Sequence, residues 1–188
     1  SLTGSNAYYL SFLFNANPFR SGAGFTGQYA GISLSGTNTS LLAGMPGDTG
    51  KIGLDWTNVG QPVTPYQPAD NTNYLVLVKL QQGTDPTYAK ATIWATTDLM
   101  MTGSTLEAQT NSDFTDNNGL TTHYAITFNT VSFSGGYTPG SINLSGLAMA
   151  STANEAVNFT HTAVPEPGTL LLGSLAATLG GCGYWRNR

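Results

Sequence analysis

Seven consecutive residues, Tyr74-Leu75-Val76-Leu77-Val78-Lys79-Leu80, place apolar side chains on both faces of an extended chain. A half-buried strand alternates polar with apolar. One that is apolar on both sides belongs in the middle of a sheet, covered above and below. Lys79 is the exception and is expected near the end of the strand.

Most other apolar runs have strand length and a period of two. Tyr8, Leu10, Phe12 and Phe14 alternate with Tyr9, Ser11, Leu13 and Asn15, giving one strongly apolar face. Pro18, Gly22 and Gly24 mark residues 15–26 as a loop. Ile32 and Leu34 alternate with Ser33 and Ser35 in a second strand. Residues 44–48 read as a turn, after which Ile52, Leu54 and Trp56 share one face of a third strand. Pro62, Pro65 and Pro68 make 61–73 a long irregular connection. Beyond a turn at 83–86, Ala89, Ala91, Ile93 and Ala95 oppose Lys90, Thr92, Trp94 and Thr96. Residues 98–120 are the least regular part, with room for one short helix at most.

Two later runs change phase. Tyr124, Ile126 and Phe128 keep one phase, and Val131 and Phe133 take the other; Ile142 and Leu144 are followed by Leu147 and Met149 with the same slip. A one-residue slip turns side chains to the opposite face, so a bulge or break is expected near Asn129 and near Ser145-Gly146. A last strand is expected at 156–159. Short strands, Gly-rich turns and no long helical pattern indicate an all-β fold, a two-sheet antiparallel β-sandwich over residues 1–160. Ile52, Leu54, Trp56 and Val76 are its expected core.

Charge narrows the partners. Before residue 186 the basic residues stand singly at Arg20, Lys51, Lys79 and Lys90, and the net charge is −4. Without a basic patch, nucleic acid is excluded as a partner. The single cysteine, Cys182, lies in a late apolar run, so residues 1–160 hold no disulfide.

The end of the chain has three zones. In Val164-Pro165-Glu166-Pro167-Gly168-Thr169 two prolines fix φ on both sides of Glu166 and remove two backbone donors. The linker 161–168 therefore reads as extended and accessible. Residues 170–185 carry no charge, and Leu170, Leu171, Leu172, Leu175, Leu179 and Trp185 are large apolar members of the run. As a helix the run would be about 24 Å long, a marginal span for a hydrocarbon core of ~30 Å. Arg186 and Arg188 would then lie on the cytoplasmic side. A C-terminal transmembrane helix with a basic tail is thus expected at 169–188, with everything before Pro165 across the membrane. No leader precedes the first strand, so a signal peptide is expected to be missing ahead of Ser1 through processing or truncation.

Triplet, apolar run and basic tail, in that order, resemble the PEP-CTERM sorting signal of exosortase-processed bacterial proteins. Gly168 stands where Ser is usual, and the tail has only two arginines. The resemblance implies that Pro165, Glu166 and Pro167 are recognised by an exosortase, a membrane protease of the cysteine type. It also implies processing near the triplet, and passage from an inner-membrane-anchored precursor to the cell surface or exopolysaccharide matrix of a Gram-negative-type bacterium. Four segments also resemble the concanavalin A/LamG-like jelly-roll domains found with this signal. They are Tyr8-Tyr9-Leu10-Ser11-Phe12-Leu13-Phe14, Gly53-Leu54-Asp55-Trp56-Thr57-Asn58, Tyr74-Leu75-Val76-Leu77-Val78-Lys79 and Ala91-Thr92-Ile93-Trp94. That likeness implies two facing antiparallel sheets.

Catalytic constellations are scarce. Glycosidases of the concanavalin type carry carboxylates on one strand as Glu-x-Asp-x-x-Glu, one acting as acid while the other attacks or activates water. The only glutamates before the tail are Glu107 and Glu155, beside seven aspartates, and no strand carries such a pair. His123 and His161 lack a Cys or carboxylate at ligand spacing, and no Gly-x-Ser-x-Gly elbow occurs. No catalytic residue is assigned.

Residues 113–119 have the oxygen density of a calcium loop, with Asp113, Asp116 and Asn118 as candidate ligands. Phe114 occupies the first ligand position of an EF-hand register and Ala125 the place of its bidentate Glu, so a polar surface turn is favoured over calcium. Trp94, Tyr66 and Tyr88 are the aromatic candidates for stacking on a glycan; for Trp94 the core is favoured.

The expectation is an exported, non-enzymatic surface or matrix protein without a cofactor. Its partners would be an exosortase-type membrane protease, membrane lipid before processing, and polysaccharide. A lectin-like carbohydrate-binding module is the alternative, and a degenerate glycoside hydrolase the third reading.

Overall fold

The computed structural model describes residues 7–17, 29–36, 40–47, 49–56, 61, 63–82, 89–109, 128, 130–136 and 141–162. In chain order these form β1 (Ala7–Asn17), β2 (Tyr29–Ser35), β3 (Ser40–Met45), β4 (Gly53–Trp56), β5 (Thr72–Gln82) and β6 (Ala89–Thr96). Then follow α1 (Gly103–Glu107), β7 (Thr130–Gly136), β8 (Ser141–Ala150) and α2 (Ala153–Thr162). The strands make two four-stranded antiparallel sheets, ordered β6-β5-β1-β8 and β4-β3-β2-β7. This is the two-sheet antiparallel arrangement that the alternating runs require.

The core lies between the sheets. Leu10, Phe12 and Phe14 of β1 and Val76 and Val78 of β5 meet Ile32, Leu34, Leu41, Leu54 and Trp56 of the second sheet. Ile52 and Leu54 are fully buried, as their shared face predicts. Each buried aliphatic or aromatic side chain contributes about 1.5–3 kcal/mol relative to exposure, so this layer is the main source of stability.

The doubly apolar strand β5 sits between β1 and β6, inside its sheet. Its Tyr74, Val76, Val78 and Leu80 face the other sheet, while Leu75 and Leu77 join a second cluster on the opposite face. There Tyr9, Leu13 and Trp94 are covered by Leu106 of α1 and by Ala153, Ala156 and Val157 of α2. The molecule thus has three layers: helices, first sheet, second sheet.

The helical layer corrects the expected last strand at 156–159, which lies inside α2. Ala153, Ala156, Val157 and Thr160 are all buried, a spacing of three, four and seven that only a helix puts on one face. The start is fixed by an N-cap threonine, Thr152. The Glu155 amide donates to Thr152 Oγ1 at 3.2 Å, and the Thr152 hydroxyl donates to Glu155 Oε2 at 3.0 Å. His161 and Thr162, read as linker, complete this helix. In the short helix α1, Thr102 is the N-cap, and its side chain accepts from the Thr105 amide. A Cβ on Gly103 would come within 2.1 Å of the Ala153 carbonyl oxygen, so the two helices touch backbone to backbone there.

Ser40–Met45 is a strand that the sequence reading passed over. Leu41-Leu42-Ala43 does not alternate and Gly44 reads as a turn residue, but Leu41, Ala43 and Met45 fill the core. Along β8 the phase slip is real. Ser11 pairs with Ala148 and Leu13 with Ser145, so β8 carries an extra residue at Gly146-Leu147, where Gly146 has φ 62°. Asn129, the other expected break, lies outside the described residues, as do Tyr124 and Ile126; β7 begins at Thr130.

Candidate binding groove on the second sheet

Inward-facing residues of the second sheet alternate with an outer row that is half-buried. Ile32, Leu34, Leu41, Ala43, Leu54 and Trp56 point into the core, which turns Ser33, Leu42 and Asp55 outward. Register lines these three up across the sheet: Ser33 opposite Leu42, and Leu42 opposite Asp55. The next row is Ser134, Gly31, Gly44 and Gly53, so three strands in succession carry no side chain there. Beyond it stands Tyr29, paired with Gly136.

The result is a groove of about 310 Å³ lined by Tyr29, Ser33, Leu42, Gly47, Asp55 and Ser134. That volume is at the lower end of small-molecule sites. Among the described residues its chemistry is one aromatic ring, several hydroxyls and one carboxylate, with no cationic side chain in the lining. Asp55 Oδ2 accepts from Gln61 Nε2 at 3.2 Å, which holds the carboxylate in place. The Tyr29 ring lies across Gly136. A Cβ built on that glycine would come within 2.7 Å of Tyr29 Cε1 and 3.1 Å of its hydroxyl oxygen. One side of the ring is therefore seated on backbone, and Tyr29 remains 37% exposed.

A second concavity, of about 470 Å³, lies where the edge strands β7 and β8 flank the sandwich. Ala30, Phe133, Ile142 and Leu144 give it an apolar lining, and Phe133 is 65% exposed. Among the described residues that line it there is no carboxylate.

A third polar cluster is on the helical side. Lys79 Nζ lies 2.6 Å from Glu107 Oε1, the same oxygen accepts from the Tyr9 hydroxyl at 2.9 Å, and Nζ stands 5.5 Å from the Tyr9 ring centroid. Burial lowers the affinity of the Lys79 ammonium for its proton, but its bonds and charges with Glu107 and Tyr9 outweigh that and raise its pKa. Burial, reinforced by Glu107, raises the Tyr9 phenol above its ordinary value against the opposing pull of Lys79. Glu107 thereby pins the end of α1 to the strands below it. Glu155 caps α2 and also accepts from Ser151 at 3.1 Å. Both glutamates are engaged in holding helices.

The residues singled out from the sequence fall in different places. Trp94 is 8% exposed and packs under α1 and α2, not toward solvent. Tyr66 packs against the core, edge to face with Tyr74 at 5.9 Å. Tyr88, the calcium candidates Asp113, Asp116 and Asn118, and His123 lie outside the described residues. So do Pro165, Glu166, Pro167, the apolar run from Leu170 to Trp185, and Arg186 and Arg188. Among the described residues no helix is long and apolar enough to cross a membrane. His161 Nε2 is buried with no hydrogen-bond partner among the described residues. Tyr29, Asp55 and Ser134 were not singled out; the outward phase of Ser33 and Asp55 was the available signal.

No protein-family model matches this chain, and no curated protein or solved structure matches it either.

Proposed function

We propose that this chain is an exported, non-enzymatic bacterial surface or matrix protein whose sandwich is the cargo and whose last residues are the address. The observation that carries this reading is the order of the zones after residue 163. Pro165-Glu166-Pro167 is followed by an uncharged run from Leu170 to Trp185 and then by Arg186 and Arg188. An apolar run of that kind gains more from lipid than from a polar protein surface, at roughly 25 cal/mol per Å² removed from water. The two arginines favour the cytoplasmic side. Glu166 is the only acidic residue after Glu155 and so the natural handle for an exosortase-type protease. The sandwich supports the reading by being a domain with its own core. On this reading it is a jelly roll of the concanavalin A/LamG-like sort.

The test is the C-terminal mass of the protein recovered from the surface of a host that has the processing enzyme. A chain ending near Pro165-Glu166-Pro167, with Glu166→Ala retained unprocessed in the inner membrane, is the expected result. Full-length chain ending at Arg188 on the cell surface would overturn sorting and leave a plain anchor.

A second reading, a carbohydrate-binding module, is compatible with the first. It is favoured by the groove on the second sheet, where a ring, hydroxyls and a carboxylate converge on one face.

A further inference from the structure

We propose that the groove of Tyr29, Ser33, Asp55 and Ser134 is a binding site for a neutral oligosaccharide segment, with the Tyr29 ring as its stacking platform. This rests on the carbohydrate-binding reading and adds to it a location, a charge class and roles for Tyr29, Ser33 and Asp55.

The platform is preorganised. Because the Tyr29 ring lies across Gly136, where even a Cβ would collide with it, the backbone supports one side of the ring. An aromatic side chain with only two rotatable angles loses little freedom on binding, and a ring already seated loses less. Its remaining exposed surface lines the groove, where the apolar C–H face of a pyranose can lie on it.

The polar groups sit beyond the platform. The buried glycine row Gly31, Gly44 and Gly53 separates Tyr29 from the row of Ser33, Leu42 and Asp55, so β2, β3 and β4 themselves raise no side chain between them. A sugar resting on the ring therefore presents its hydroxyls toward Asp55 and Ser33. An ionised carboxylate accepts through both oxygens, and such charge-assisted bonds are about twice as strong as neutral ones. Gln61 supplies one bond to Oδ2 and fixes the carboxylate without neutralising it. The same charge selects the ligand class. With Asp55 in the lining and no Lys or Arg among the described residues that line the groove, uronates, phosphates and sulfates are repelled.

The experiment is titration calorimetry of the full chain with neutral gluco-, manno- and galacto-oligosaccharides, and with an oligogalacturonate as the anionic counterpart. At least one neutral series should bind, and the oligogalacturonate should bind more weakly. Tyr29→Ala should weaken binding by about tenfold, the factor that a loss of about 1.4 kcal/mol produces. Asp55→Asn should weaken it too.

Gly136→Ala is the decisive variant. Its methyl group meets the movable end of a side chain and not backbone, so the fold is retained while the ring is displaced. Affinity should fall, with an unchanged far-ultraviolet spectrum. Binding that all three variants leave intact would overturn the location while leaving the carbohydrate reading in place. Failure of every neutral oligosaccharide to bind at millimolar concentration would overturn both.

Discussion

The hydroxyl of Thr160, in α2, donates to the carbonyl of Gly146 at the bulge of β8, 2.8 Å away. Thr160 Oγ1 also meets Ser11 Oγ of β1, and Ser11 donates to the Ala156 carbonyl at 2.6 Å. Helix, central strand and bulge are thereby joined at one point, where both hydroxyl residues are fully buried. Gly146 has no partner residue in the β1 register, so its carbonyl needs a donor from elsewhere, and Thr160 supplies it.

Thr160→Val keeps the shape of the side chain and removes that donor. The carbonyl is only partly buried, so losing its partner costs about 0.5–1.5 kcal/mol, the worth of an ordinary hydrogen bond. The urea midpoint, followed by tryptophan fluorescence, should fall accordingly. An unchanged midpoint would mean that the bulge carbonyl finds another donor.

Gly146→Ala tests the bulge from the strand side. At φ 62° an L side chain meets the following carbonyl, a penalty of about 1–2 kcal/mol. Gly146→Asn, which tolerates this region better, should lose less stability than the alanine variant in the same unfolding experiment.

These two residues also show what the sequence makes legible. The bulge could be read from the phase change between Leu144 and Leu147, because a slip of one residue moves a side chain across the sheet. Burial of β5 on both faces followed from its composition. What covers its second face did not, since nothing local in Tyr74–Leu80 says whether the layer above is a sheet or helices. The strand expected at 156–159 was a misreading of Ala156-Val157-Asn158-Phe159, whose β-branched and aromatic members hid the capping signal of Thr152 and Glu155. The groove was least legible. Tyr29, Ser33 and Asp55 come together only through the register of β2, β3 and β4, and β3 gives no alternating signal of its own.

Thr152→Ala should weaken α2 at its start. An N-cap hydroxyl is worth about 0.5–2 kcal/mol, and here it also holds the Glu155 carboxylate. The melting temperature should drop, with most of the sheet signal in circular dichroism lost in the same transition, since α2 covers the first sheet. An early, separate loss of helix signal would show instead that α2 unfolds independently of the sandwich.

Lys79, Glu107 and Tyr9 predict the response to alkali. Both Lys79 and Tyr9 have folded-state pKa values above their ordinary 10.5 and 10.0. As pH rises past those ordinary values the unfolded chain releases protons that the folded chain still holds, and unfolding is favoured. The contribution is complete below about pH 10 and is lost as pH climbs through the raised values. Glu107 supports both shifts, through its 2.6 Å contact with Lys79 and its bond from Tyr9. In Glu107→Gln the contribution that the carboxylate makes to each shift disappears. The variant should be less stable than the parent at neutral pH, yet its melting temperature should fall less steeply as pH rises past the ordinary values of 10.0 and 10.5. Parallel curves for the two proteins across that rise would mean that the ion pair does not couple α1 to the sheet.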